Sequence, residues 1–261
     1  MDVMSLAGGT EATGVPSSVF DMPEGSVIRY DRPSAGIAEF ITGYHLYAAY
    51  GPGSINKVDW FLPGTANLRI TLNAGPIAVR IRREFSPVPP VALFGPTSTA
   101  MRAVTNGGIM VGIGVSALGW ARLLKQPASA YHDMIVPLER LTGPTVPRLL
   151  SGVLAAAPDE HAVKPILYAV LAPLLTTPNP DEAVIRHLSV LLIDPEVSQV
   201  RTVAGRLELT PRSLSRITSQ YFGMPAKPLL RRARFLRSMT RIMQRPAGQH
   251  IRDIDPRLRT H

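Results

Sequence analysis

The sequence predicts an α+β chain, with a β-barrel in its first half and an all-α region in its second. Three observations carry this. Between about residues 27 and 117, short apolar runs are punctuated by Pro and Gly. After Gly119 the texture changes to helical periodicity. At residues 203–223, two short helical patterns meet at a tight turn, and a dense run of arginines follows. With 261 residues, 45% of them hydrophobic, the chain can bury the core of one large or two modest domains.

Residues 1–20 carry Asp2 and Glu11 among Gly, Ser and Thr, without the basic start and apolar core of a secretory signal, and read as a mobile tail. A β-rich domain is expected over residues 21–145. Leu68, Ile70 and Leu72 alternate, as do Ile77, Val79 and Ile81. A third run, residues 91–94, is closed by Gly95-Pro96. Turns fall at Gly51-Pro52-Gly53, Pro63-Gly64, Gly75-Pro76 and Asn106-Gly107-Gly108. Short strands at this spacing suggest a barrel or sandwich.

Residues 103–121 carry no charge and approach the length of a membrane span. Their glycines and the alternation of Ile109, Val111, Ile113 and Val115 instead predict a buried strand running into a short helix. Helices are expected over residues 120–124, 137–141, 145–157 and 163–175, with a helical linking region at 146–180. The C-terminal unit, residues 181–261, begins with a helix over 181–193. Asp181 and Glu182 lie in its first turn, where the helix dipole favours carboxylates.

In the two-helix pattern, Val203, Ala204, Leu207 and Leu209 mark the inner face of the first helix and the turn. Thr210 can cap the second helix, with Pro211 at a position where a missing N–H is harmless. Leu214, Ile217 and Tyr221 recur at spacings of three and four and so face inward. Arg212, Ser215, Arg216 and Ser219 remain on the outer face. This is the pattern of a helix-turn-helix, whose second helix enters the DNA major groove. Charge agrees. Residues 195–261 hold 14 Lys/Arg against 4 Asp/Glu, while residues 1–194 hold 14 against 15. All of the excess positive charge lies on and beside the motif, as phosphate binding requires.

The segment resembles the first helix-turn-helix of AraC/XylS-type transcription regulators. The matching residues are Ala204, Leu207, Thr210, Arg212, Leu214, Arg216 and Phe222-Gly223. Pro225 and Leu230-Arg231-Arg232-Ala233-Arg234 then resemble the start of that family's linker helix. Glu208 stands where the family often has a turn glycine, and Thr218 where it favours an aromatic. Upstream, Asp59-Trp60-Phe61-Leu62-Pro63, Gly95-Pro96, Gly112-Ile113-Gly114 and Val136-Pro137-Leu138-Glu139 resemble a cupin-like β-barrel sensor domain, over about residues 40–142.

The resemblance implies a cytoplasmic regulator that binds double-stranded DNA, with a β domain that senses a small-molecule effector or forms a homodimer. It selects Arg212, Ser215 and Arg216 as base contacts, and the exposed-face reading agrees, since arginine pairs bidentately with guanine. Thr210, Ser219, Arg231 and Arg232 are assigned to phosphates. Arg234 and Arg237 fit phosphate contacts or helix packing.

Other chemistry finds little footing. There is no cysteine, hence no disulfide or thiolate site. The six histidines, His45, His132, His161, His187, His250 and His261, form no ligand pair. No nucleophile elbow or phosphate-binding glycine loop is present. The expectation is no enzyme, no metal, no cofactor and no membrane partner. Tyr44, Tyr47, Tyr50 and Trp60 fit either an effector pocket or ordinary packing. Residues 251–261 read as the beginning of a second helix-turn-helix. From this follows an alternative, a shortened interaction protein that dimerises with or antagonises a full-length regulator.

Overall fold

The computed structural model describes residues 8–11, 13, 20–155 and 160–243. The strands among the described residues are β1 (Ser26–Asp31), β2 (Ile41–Ala49), β3 (Lys57–Phe61), β4 (Ala66–Leu72), β5 (Ala78–Arg80), β6 (Glu84–Phe85), β7 (Val91–Phe94), β8 (Met101–Thr105), β9 (Gly108–Val115) and, after the first helix, β10 (Ile135–Pro137). The helices are α1 (Ala117–Leu123), α2 (Glu139–Thr142), α3 (Thr145–Ala155), α4 (Val163–Leu171), α5 (Glu182–Ile193), α6 (Val200–Arg206), α7 (Pro211–Phe222) and α8 (Ala226–Met243). A sheet-rich region is thus followed by a helical one.

Among the described residues the strands make two separate antiparallel sheets rather than the closed barrel expected. The larger runs β1-β2-β9-β4-β7-β10 and the smaller β3-β8-β5-β6. They face one another through Ala92, Phe94 and Ile135 on one side and Val79, Met101 and Ala103 on the other. Side-chain contact replaces the ladder that a closed barrel needs. The opposite face of the large sheet presents Leu46, Leu68, Ile70, Leu93, Val111 and Ile113 to the helices, in one core with Trp120, Leu150, Leu154 and Leu188. Each such aliphatic side chain contributes about 1.5–3 kcal/mol when removed from water. The large sheet is therefore the middle layer, covered on both faces.

The uncharged stretch after Ala103 forms β9 and α1, the strand-then-helix expected. No helix among the described residues is long and apolar enough to cross a membrane. One expectation fails locally. Pro137 ends an edge strand instead of starting a helix: Ile135, Val136 and Pro137 pair with Phe94, Leu93 and Ala92, and at a sheet edge the missing N–H is tolerated. Gly9 is paired with the sheet. The Gly9 N–H donates to the Ile28 carbonyl at 3.1 Å, and Tyr30 N–H donates to Gly9 O at 3.0 Å, so Gly9 bridges the free edge of β1.

Candidate nucleic-acid interface

The turn between α6 and α7 is built by local chemistry. Leu209 N–H donates to Ala204 O at 2.9 Å and Glu208 N–H to Gly205 O at 3.2 Å. This geometry needs a left-handed residue, and Glu208 occupies it with φ 53°. Thr210 Oγ1 accepts from Ser213 N at 3.1 Å, capping α7 as its sequence position implied. At the other end Gly223 has φ 84°, and a Cβ there would lie 2.6 Å from Pro96. Only glycine meets both conditions, so this residue both ends α7 and seats it against the sheet region.

Leu214, Ile217, Tyr221 and Phe222 of α7 are buried. The helix packs on α6, α1 and a 3-10 turn at Ala128–Tyr131. Tyr221 Oη donates to Asp181 Oδ2 at 2.8 Å and lies 3.2 Å from Asn179 Oδ1. Burial is the first cause that pushes this phenol's pKa up. Thr218, at the position of the family's aromatic, is buried and donates to Ser215 O at 3.1 Å.

The predicted reading face is the one left free. Arg212 and Arg216 are exposed, and Ser215 and Ser219 half-buried, at spacings of three and four. Among the described residues neither arginine has an ion-pair partner. Arg231 is exposed too, and with Arg201, Lys227 and Arg234 it lines an open basic groove between the starts of α6 and α8. Arg201 and Lys227 were not singled out in the sequence, where they stand apart from the arginine run.

Arg232 departs from its expected phosphate role. Its side chain is buried, and Nη1 donates to Gly64 O at 2.8 Å and Thr97 O at 3.2 Å, in two loops of the sheet region. Burial pushes its pKa down to about 10, with Asp133 opposing the shift. Arg237 likewise turns inward, donating to the carbonyl of Leu192 and, at 3.4 Å, to that of Val197. Two linker-helix arginines therefore fasten α8, Arg232 to loops of the sheet region and Arg237 to the end of α5 and the segment after it.

A second tie lies between α1 and α5. Arg122 makes a two-point ion pair with Glu182, at 2.7 and 2.9 Å, and donates to Leu175 O at 2.6 Å. The hydrogen bond from Arg122 is the first cause that holds the Glu182 carboxyl at about 2, below its usual range.

The four aromatics of the first half do not line one pocket. Tyr44 is buried in the helix-side core. Tyr50 and Trp60 are exposed, Trp60 by 68%. Only Tyr47 lines the cleft between the sheets. No group of three His, Cys, Asp or Glu side chains among the described residues is placed to hold a metal. Residues 251–261, where a second motif was expected to begin, lie outside the described residues.

No family model and no curated protein matches the chain. Two solved structures are similar over most of its length. One is a variant of apo ToxT from Vibrio cholerae, 9% identical, with 84% of this chain and 83% of that one covered and a TM-score of 0.41. The other is the AraC-like transcriptional activator CuxR, 11% identical, with 82% and 86% covered and a TM-score of 0.30.

Proposed function

We propose that the chain is a DNA-binding transcription regulator that reads promoter DNA through α7. The observation that carries this is the pair Arg212 and Arg216. They stand exposed, without carboxylate partners among the described residues, on one face of a capped, buried-backed helix in a helix-turn-helix. Such arginines are placed to donate to guanine edges, with Ser215 between them as a second base contact. Thr210, Ser219 and Arg231 are then phosphate contacts, and Arg201, Lys227 and Arg234 extend that set along the basic groove. Arg232 leaves it. The test is selection of duplexes from a randomised library by the whole chain. Recovery of one shared sequence supports the reading. Retention of duplexes without any common sequence, at a level set by salt alone, contradicts it.

The finer part of the proposal is control by a small ligand in the sheet region, acting as the sensor. Arg232 supports it. Gly64 follows β3 and Thr97 follows β7, so the loops that hold Arg232 continue the strands lining the inter-sheet cleft. A guest that shifts β3 against β7 would change the seat of α8, and α8 follows the recognition helix directly. Such a guest acts only through its differential affinity for the two arrangements. No catalytic step is part of this proposal.

A further inference from the structure

Among the described residues the two sheets have four edges. Three of these are guarded. Gly9 bridges the edge of β1. Strand β10 is three residues long and ends in Pro137, and β6 is two residues long. Covering, brevity and proline all keep unpaired N–H and C=O groups from recruiting another chain. The fourth edge differs. Strand β3 runs for five residues, ends the small sheet and pairs only with β8. Its two charges are held on the inner face. Lys57 Nζ donates to Tyr47 Oη at 2.7 Å and to Ser26 Oγ at 3.1 Å, and lies 3.9 Å from Asp59 Oδ2.

Strand alternation then leaves Val58 and Trp60 on the outer face, and Leu62 follows in the same phase. They are 45%, 68% and 43% exposed. No charge of β3 interrupts the line. In the ladder Val104 of β8 stands beside Val58 and so extends the apolar surface inward. Exposed apolar residues scattered singly are ordinary, but three in a line along an unpaired edge mark an interaction surface.

The line is complementary to itself. Antiparallel pairing of β3 with its own copy runs about a two-fold axis normal to the sheet, so each outer face continues the other. The axis then passes between one residue and its copy. At Asp59 it sets two carboxylates directly opposite, where like charges repel. At Val58 it sets Trp60 opposite Asn56. At Trp60 the two rings meet, and Val58 of each copy lies opposite Leu62 of the other. All the exposed apolar side chains of both edges then form one stripe, and the two four-stranded sheets become continuous. Aromatic pairs across strands are among the favourable ones.

We infer that the free edge of β3 is an interface with a second copy of this chain, paired antiparallel about Trp60. The contact is short, so the dissociation constant is expected to be on the order of micromolar. This stands apart from DNA reading and from ligand control, since its test contains neither. Sedimentation equilibrium of the whole chain, over a concentration series spanning that range, is expected to show monomer and dimer in exchange. Trp60→Asp is expected to weaken the dimer at least about tenfold, as loss of a central aromatic anchor does. A second readout keeps Trp60 in place. The chain has no cysteine, so a single introduced thiol is its only one. Val58→Cys mixed with Leu62→Cys is expected to cross-link on mild oxidation several-fold faster than either variant alone, because only the mixture sets two thiols opposite each other. A chain that stays monomeric throughout the series overturns the proposal and leaves the edge to a partner of another kind. So does a Trp60→Asp variant that dimerises as the wild-type chain does, or a mixture that cross-links no faster than its components.

Discussion

Arg212 and Arg216 lie in water on one side of a helix, whereas Arg69 lies between two sheets and Arg232 between a helix and two loops. The first pair costs nothing to keep charged and is open to an external anion. The second pair is desolvated, and each member needs a partner. Arg232 has two backbone carbonyls, while Arg69 has two aromatic rings. The same residue type is therefore left to solvent in one region and fastened in the other, and burial decides which.

The sharpest way to break this contrast is at Arg232. Arg232→Ala leaves the Gly64 and Thr97 carbonyls without their buried donor and is expected to lower the unfolding free energy by about 2–3 kcal/mol. Its exposed neighbour supplies the control, since Arg231→Ala should leave the urea midpoint unchanged. Equal midpoints for the two variants would show that the clasp contributes nothing.

The Arg122–Glu182 tie is expected to be worth about 2 kcal/mol, as charge-assisted hydrogen bonds are. Its pH dependence has a definite sign. The Glu182 carboxyl is held at about 2, against an ordinary 4.5, so its contribution is complete above that ordinary value and is lost as pH falls from there towards 2. Arg122→Ala should remove this acid-side loss from the stability profile. An unchanged profile in the variant would assign the acid sensitivity to other carboxylates.

The smallest expected effect is a gain. Glu208 holds φ 53° in the α6–α7 turn, a conformation costly for a residue with a Cβ. Glu208→Gly is expected to stabilise the chain by about 0.5–1 kcal/mol, read from thermal unfolding. A loss of stability would mean that the Glu208 side chain makes a contribution of its own.

These cases also show where the sequence was readable. Helix α7 was legible because Leu214, Ile217 and Tyr221 repeat at helical spacing and because a cap, a proline and a terminal glycine mark its ends. Arg232 was misread because it stands among exposed arginines. A signal existed, since it lies three residues after buried Leu229 and shares that face. Arg69 was invisible for a different reason. Strand alternation puts it opposite Leu68 and Ile70, on what a single-sided sheet would expose to water. The second sheet covers that face, and strand periodicity does not reveal such a neighbour. Barrel closure is not legible either, since alternation sets which residues face inward but not whether the last ladder forms.

The account's central claim is that α7 reads bases while the basic groove touches phosphates. It is tested most directly by titrating the wild-type chain, Arg212→Ala, Arg216→Ala and Arg231→Ala at two salt concentrations, on the selected duplex and on a scrambled one. Loss of a base-reading arginine should cost about 1–3 kcal/mol on the selected duplex and much less on the scrambled one. Arg231→Ala should weaken both alike and reduce the salt dependence by about one unit of slope. If Arg212→Ala and Arg216→Ala bind the selected duplex as the wild-type chain does, α7 is not the reading helix and the proposed function fails.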